Sequence, residues 1–351
     1  DTNNNTAIGK DALKLNTAAN NTAVGFAALE ANTTGYDNNA FGQGALDANT
    51  TANDNNAFGR NALGANTTGA SNTAMGHGCL DANTTGEKNS AFGMTALTDN
   101  TTGTGNTAVG ENCLGDNTTA SNNVGVGMDA LRLNTTGAGN VAVGTSALAT
   151  KTTGGANTAV GTDALGVATT SSNNTAVGAQ AGSLTTTGSN NLFLGHDAGT
   201  SNAPNGNHTT HSNRIVLGDN SITNAHIKVD WTVTSDERDK ADIIDFVKGL
   251  DIINSLRPVT YKWDMRTDYS NDLSVTPDGS KKSDKTEIGL IAQEVEIVEK
   301  ANGYGSSEND SLFIDKSIDE KHYGLRYSRL IPVLVNAIKE LSAEVNALKA
   351  A

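Results

Sequence analysis

A serine and a lysine five residues apart are the side chains of this sequence best placed to do chemistry together. Ser235 and Lys240 lie in the stretch "DWTVTSDERDKADI", residues 230–243. A serine hydroxyl becomes a nucleophile when a base removes its proton, and a lysine can be that base when burial lowers its pKa toward neutrality. Acidic neighbours oppose this by favouring the ammonium, unless carboxylates such as Asp236 turn away or pair with Arg238. The spacing alone also fits two solvated surface residues. The surrounding sequence must therefore show whether Ser235 and Lys240 form a catalytic pair.

Composition excludes several classes of function. The 351 residues carry a net charge of −14 and include 38 glycines but only 4% aromatic residues. An acidic chain without a basic stripe argues against nucleic acid and against anionic membrane surfaces as partners. No run of 18 apolar residues occurs, so we expect no membrane-inserted segment. The opening "DTNNNTAIGK" is not a signal peptide and starts inside a repeat, so we expect it to continue a longer chain.

A short repeat dominates residues 1–203. One unit reads "NTAVG-x-x-AL-x-x-NTTG-x-x", and after a first step of 16 residues its motif glycines recur every 17, at Gly9, Gly25, Gly42, Gly59, Gly76, Gly93, Gly110, Gly127, Gly144, Gly161, Gly178 and Gly195. A fixed period predicts one structural unit per repeat, stacked on its neighbours. Two short segments and two turns per unit predict a coil of a parallel β-solenoid, with Ala inside and Thr and Val outside. The "N-T-T" triplets then read as turns rather than as glycosylation sites.

The interior of such a coil looks poor in apolar side chains. Each unit offers an Ala, a Leu and one or two more, which is little for one chain, so we expect three chains to share a core. Cys79 and Cys113 occupy an Ala slot two coils apart. At that separation they are too far apart for a disulfide, so we expect small buried side chains.

Past residue 230 the sequence becomes that of a small α+β domain, residues 231–351, joined to the repeats by a connector at 204–230. "ADIIDFVKGLDIINSL" has helical spacing, "RPVTYKWDM" alternates like a strand, "EIGLIAQEVEIVEK" reads as a strand entering a helix, and 267–286 reads as a polar loop. The C-terminal helix, 329–351, carries an a/d heptad series at Ile331, Leu334, Ile338, Leu341, Val345 and Leu348. This series predicts a parallel coiled coil between chains or, alternatively, a helix packed on its own domain.

Two resemblances follow from these motifs. Units of the "NTAVGxxAL" kind resemble the β-roll of trimeric adhesin heads, and still more the repeats of bacteriophage tail fibres. "TSDERDKADI", "LRPVTYKW", "IGLIAQEVEIV" and "YSRLIPVLVNAIKEL" resemble, in order and spacing, the intramolecular chaperone domain of endosialidase-type phage tail proteins, the peptidase S74 family. The second resemblance implies a domain that trimerises, assists folding of the fibre before it, and then cuts itself off in a single turnover.

Residue by residue, the resemblance implies these roles. Ser235 is the nucleophile and Lys240 the general base, and the bond between Thr234 and Ser235 is cut. Supporting positions of the motifs are Asp236, Arg238, Gln293 and Glu294.

The function expected from these features is a homotrimeric tail-fibre segment of a virion. It would be made in the host cytoplasm and would bind a glycan or protein receptor on the host surface. The alternative is a bacterial trimeric surface adhesin with the same chaperone domain. Ice binding is a weaker alternative that would require a flat, regular Thr face, and glycan hydrolysis by a tailspike is another, against which no aromatic platform and carboxylate pair recurs in the roll. We expect no cofactor and no metal site, and we expect His208 and His211 to lie in an exposed turn rather than to bind metal.

Overall fold

The fold consists of two compact units, Asp1–Ile222 and Thr223–Ala351. The computed structural model describes residues 3–203, 206–228, 231–270, 274–307, 310–316 and 322–351. Within these ranges no helix is both long and apolar enough to cross a membrane.

The first unit is a parallel β-solenoid in which each repeat is one coil. The strand of each coil pairs in register with the next, so that Thr22 lies beside Asn39 and Ala23 beside Ala40. In the described residues the strands of successive coils form one sheet, in which their order is the order along the chain. The strands are β1 (Thr6–Ile8), β2 (Thr22–Val24), β3 (Asn39–Phe41), β4 (Asn56–Phe58), β5 (Thr73–Met75), β6 (Ser90–Phe92), β7 (Thr107–Val109), β8 (Val124–Val126), β9 (Val141–Val143), β10 (Thr158–Val160), β11 (Thr175–Val177), β12 (Leu192–Leu194) and β13 (Ile215–Leu217). The predicted solenoid is confirmed.

Small side chains fill the interior of each coil. In the third coil Ala40 at the strand centre and Ala45 and Leu46 in the following turn are completely buried. The motif glycine closes the strand at a left-handed angle: Gly42 has φ +141°, and a Cβ there would meet the Gly59 carbonyl oxygen. Glycine alone tolerates both conditions. The interior of each coil therefore closes within one chain, so a small number of apolar side chains does not by itself require a shared core.

Two ladders of buried asparagines complete the interior. In one ladder Asn49 donates to the Asn32 side-chain oxygen of the preceding coil at 2.8 Å and to the Ala52 carbonyl at 3.1 Å. In the other, the Asn38 backbone N–H donates to the Asn21 side-chain oxygen at 3.0 Å. Amide groups that satisfy buried backbone atoms in this way let a polar residue occupy a core position. The "N-T-T" asparagines belong to the first ladder, where they are buried, and the bond from Asn49 to the Ala52 carbonyl three residues on is the local turn chemistry that the sequence predicted.

A buried lysine interrupts the first ladder. Lys151 is fully buried in the asparagine slot, and its ammonium donates to the backbone oxygen of Ser171. Desolvation lowers the pKa of Lys151 to about 8. In the preceding coil, the side-chain oxygen of Asn134 has no hydrogen-bond partner in the described residues. The lysine therefore costs stability on two grounds, a desolvated charge and an orphaned acceptor.

Replacing Lys151 by asparagine is expected to stabilise the protein. The pKa of Lys151 is lower in the folded than in the unfolded protein. The buried charge therefore destabilises the wild type fully at pH 7, and this loss of stability disappears as pH rises from about 8 toward 10.5. We expect Lys151→Asn to raise the free energy of unfolding by about 2 kcal/mol at pH 7, and by less at pH 10. Urea unfolding at both pH values measures this. Lys151→Met, which removes the charge without restoring the amide, separates the two causes, and an unchanged midpoint for Lys151→Asn would contradict the account.

Both cysteines are core residues, as predicted. Cys79 and Cys113 are completely buried, and neither forms a disulfide. Burial raises the pKa of each thiol to about 12. The thiols therefore behave as small apolar side chains rather than as nucleophiles.

The last coil is longer than the others. Leu192 of β12 pairs with Ile215 of β13, a step of 23 residues. The solenoid thus continues into the segment 204–230 that the sequence assigned to a connector, of which 204–205 and 229–230 lie outside the described residues. The prediction that His208 lies in an exposed turn is wrong, because His208 is buried with its ring 6.1 Å from that of Phe193. The inserted residues fold back over the end of the core, which a break in a repeat does not reveal.

The second unit is a small α+β domain, as predicted. Its elements are α1 (Leu250–Ser255), β14 (Val259–Tyr261), β15 (Glu287–Gly289), α2 (Ala292–Ala301), β16 (Ile314–Lys316), β17 (Tyr323–Leu325) and α3 (Leu330–Ala350). β14 pairs with β15 and β16 with β17, both antiparallel. The core consists of Ile252, Val295, Phe313, Ile314 and Val333. The described part of the predicted loop 267–286 lies outside strands and α-helices, and 271–273 are outside the described residues.

The first helix of this unit is shorter than its sequence pattern predicted. The apolar spacing starts at Ile243, but the helix begins at Leu250. Gly249, just before it, packs against the backbone of α3 so closely that a Cβ would lie 2.5 Å from the Ala337 nitrogen. Glu340 of α3 also accepts from the Leu250 N–H at 2.7 Å. Contact with α3, rather than local periodicity, sets where α1 begins.

Candidate functional site

The structure brings the two reactive side chains of the sequence into contact. The Lys240 ammonium donates to Ser235 Oγ at 2.7 Å and to the Ser235 carbonyl oxygen at 3.2 Å. A single 3₁₀ turn, Glu237–Asp239, lies between them and closes with a bond from the Lys240 N–H to the Glu237 carbonyl. The turn returns the chain on itself, which is how residues five apart meet. This distance suits proton transfer between a hydroxyl and an amine.

Asp236 caps this turn and is engaged by arginine. Its carboxylate accepts from the Arg238 backbone N–H at 2.9 Å and forms an ion pair with the Arg238 guanidinium at 2.6 Å. The guanidinium holds the pKa of the Asp236 carboxyl below its usual range. Arg238 therefore neutralises the carboxylate next to the serine. This is the pairing that we expected from the sequence if Lys240 is to act as a base.

Both reactive side chains are exposed in a single chain. Ser235, Lys240 and the preceding Thr234 all face solvent. Folding of one chain thus does not bury the lysine.

Large apolar side chains flank this turn on both sides. Trp231 is 74% exposed and Val233 80%, and on the other side Ile243 is 64% and Ile244 84% exposed. Four large exposed apolar side chains thus lie close to the dyad along the chain.

The two residues of the "IAQEV" motif lie in the first turn of α2. Glu294 forms an ion pair with Arg257, 3.1 Å from the guanidinium Nε, which lowers the pKa of the Glu294 carboxyl. Gln293 is exposed. The ion pair joins α2 to the segment that follows α1. Glu294 thus supports the packing of the domain.

A buried carboxylate that the sequence did not single out lies at the other end of α2. Glu299 is 1% exposed and accepts from the Phe313 N–H at 2.9 Å and from the Ser311 hydroxyl at 3.2 Å. These bonds fix the chain entering β16. In the sequence, Glu299 stands among alternating charges of "EVEIVEK", with no signal that marks it as internal.

The C-terminal helix has two apolar faces. Val333 and Ala337 are buried and pack α3 on its own domain. The heptad series instead faces solvent, between 39% and 78% exposed, at Ile331, Leu334, Ile338, Leu341, Val345 and Leu348. We call these six residues the α3 seam. Packing on the domain therefore uses one face, and the a/d face that predicts a coiled coil stays uncovered in one chain.

Comparison with known proteins agrees with the second resemblance. Residues 235–304 match the family model Peptidase_S74, described as the chaperone of endosialidase. The match begins at Ser235 itself. No curated protein and no solved structure matches the chain. Residues 235–304, which follow the parallel β-solenoid in the chain, are therefore similar to the chaperone of endosialidase.

Proposed function

We propose that the chain is a homotrimeric tail-fibre segment whose C-terminal domain drives assembly and then cuts the chain between Thr234 and Ser235. The observation that carries this proposal is the 2.7 Å contact of Lys240 Nζ with Ser235 Oγ at the first residue of the chaperone match. A serine in contact with a lysine, preceded by an exposed peptide bond, is an arrangement that self-cleavage requires.

The proposed reaction has two steps. The neutral amine of Lys240 takes the hydroxyl proton of Ser235, and Oγ attacks the Thr234 carbonyl carbon. The C–N bond then breaks, the Ser235 nitrogen takes the proton, and the Thr234 acyl group is held as an ester on Oγ. Water hydrolyses the ester, which yields a Thr234 carboxylate and a Ser235 hydroxyl with a free amino group. One water is consumed, and the lysine is regenerated.

Association of three chains is supported by an exposed apolar row in each unit. On the solenoid, the third residue of successive strands forms a row along the sheet, and its members at least 36% exposed are Ile8, Phe41, Met75, Phe92, Val109, Val126, Val143, Val160, Val177, Leu194 and Leu217. On the chaperone domain the row is the α3 seam. Long apolar rows on a protein surface mark association sites. We infer that other copies of the chain cover both rows, and the number three rests on the resemblance.

Assembly also explains when cleavage would occur. The apolar side chains around the dyad, from Trp231 to Ile244, are the surface that neighbouring chaperone domains would cover. Covering them would remove water from Lys240 and favour its neutral amine, the form that accepts a proton. Cleavage would then follow assembly and release the fibre only after its chaperone had acted.

Receptor binding is proposed for the solenoid. The repeats differ mainly at the two residues after each motif glycine. The first of these slots runs through Phe26, Gln43, Arg60, His77 and Met94. A solenoid with a constant interior and a variable exterior suits attachment to a glycan or protein on the host surface. The fibre would then act outside the cell, as part of the virion.

Fragment masses and oligomeric state test this function. Purified protein is expected to consist of a fragment ending at Thr234 and one beginning at Ser235, by intact mass spectrometry. By light scattering the fibre fragment is expected to have three times its chain mass. An intact chain, or a stable monomer at micromolar concentration, would overturn the corresponding part of the proposal.

A further inference from the structure

The long last coil of the solenoid brings together three metal-ligating side chains. His196 follows the motif glycine of β12, and Asp219 follows the corresponding glycine of β13. Because β12 and β13 pair in register, with Leu194 beside Leu217, the next-but-one residues stack in adjacent coils. Asp197 lies next to His196. In the described part of the chain, this is the one group of three His, Cys, Asp or Glu residues with ligand atoms all within 4.8 Å of one another.

The distances within this group suit coordination. His196 Nδ1 lies 3.6 Å from Asp197 Oδ2 and 3.5 Å from Asp219 Oδ2. Zinc bonds of about 2.0–2.2 Å to nitrogen and oxygen at tetrahedral angles place ligand atoms about 3.3–3.5 Å apart. The distance from the imidazole to each carboxylate therefore lies near the spacing that one shared ion would impose.

Asp197 supplies a second, independent indication of a ligand. The residue is only 7% exposed, and its Oδ1 is buried without a hydrogen-bond partner in the described residues. Its Oδ2 is held by the Asn202 amide at 2.9 Å. Asp219 is oriented in turn, since its Oδ1 accepts from the Ser221 N–H at 3.0 Å. A buried carboxylate with an orphaned oxygen, beside a second carboxylate, is costly unless a cation compensates it.

We propose that His196, Asp197 and Asp219 bind a divalent transition-metal ion at the C-terminal end of the solenoid. One imidazole nitrogen with two carboxylates favours zinc or manganese over calcium and magnesium, which prefer oxygen alone. Three protein ligands leave a position for water or for a further group. The ion joins the ends of β12 and β13 across the 23-residue step, beside the strand pairing that already connects them. The sequence hides this site because its ligands are separated by the inserted residues.

Zinc titration of the full chain tests the site. The protein is purified without a polyhistidine tag, stripped with a chelator, and titrated with ZnCl₂ by calorimetry, with MnCl₂ and CaCl₂ run in parallel. We expect one zinc per chain, weaker or no calcium binding, and a higher unfolding temperature with zinc. Asp219→Asn keeps the side-chain shape and the Ser221 bond, so it is expected to fold and to bind zinc at least about tenfold more weakly.

A histidine in the equivalent slot of another coil provides the matched control. His77 follows its motif glycine as His196 does, but its ring contacts Arg60. His77→Ala is therefore expected to leave zinc affinity unchanged, while His196→Ala lowers it at least about tenfold. The proposal is overturned if the wild type binds no zinc. Equal affinity in His196→Ala and His77→Ala would also overturn it. Neither result bears on cleavage at Ser235, so the proposed function stands or fails separately.

Discussion

The Ser235→Ala variant is expected to remain a single uncut chain, and Lys240→Met is expected to slow cleavage at least about a hundredfold. Without Oγ there is no nucleophile to form the ester, and without the amine nothing within contact takes the hydroxyl proton. General-base catalysis contributes about a hundredfold to ten-thousandfold in rate. Lys240→Arg should be as slow as Lys240→Met, because a guanidinium keeps its charge and cannot act as a base. Time courses of intact mass after refolding give the rates.

The controls separate chemistry from assembly. Lys262→Met removes an exposed lysine near β14, outside the reactive turn, and should cleave at the wild-type rate. Each dyad variant should still assemble, since Ser235 and Lys240 lie outside the α3 seam. Cleavage of Ser235→Ala between residues 234 and 235, or normal cleavage in Lys240→Arg, would show that the dyad is not the catalyst.

Placing a charge in the α3 seam is expected to prevent assembly. Leu341 is 52% exposed in one chain, and in a trimer Leu341→Asp would bring three carboxylates together in an apolar interface. Burying an unpaired carboxylate costs several kcal/mol, so three in one layer should shift the protein from trimer to monomer at micromolar concentration. Light scattering of the uncut Ser235→Ala background measures this without interference from cleavage.

The matched variant places the same charge on the opposite face of the helix. Ala343 lies two residues beyond Leu341 and outside the a/d positions, so Ala343→Asp should leave the trimer intact. The domain of Leu341→Asp should still fold, because α3 packs on it through Val333 and Ala337. In the cleavable background, Leu341→Asp is also expected to stay uncut, since the dyad remains in water. If Leu341→Asp is still trimeric, the α3 seam does not form the interface. The alternative, in which α3 packs only on its own domain, would then be favoured.

Regular features of the sequence were enough to predict the solenoid. A 17-residue period and the motif glycines indicate stacked coils, because only glycine suits a residue such as Gly42, where positive φ and close backbone approach coincide. The inward Ala and outward Val follow from the alternation of a strand. Counting apolar side chains, however, underestimated the core, since the asparagine ladders are polar groups that satisfy one another only when coils are stacked.

The sequence by itself also determined the order of the chaperone motifs and, through them, the candidate dyad and the heptad series of α3. Only the tertiary structure showed that Ser235 and Lys240 touch across a single turn and that both remain in water in one chain. Only the tertiary structure showed that Leu63 has a left-handed φ of 53°. Leucine avoids this conformation in isolation, and it is maintained here because the Leu63 side chain is buried in the core. The tertiary structure alone brought His196 beside Asp219 across 23 residues. Local patterns specify period and local geometry, whereas burial and contact between distant residues exist only after the coils have stacked.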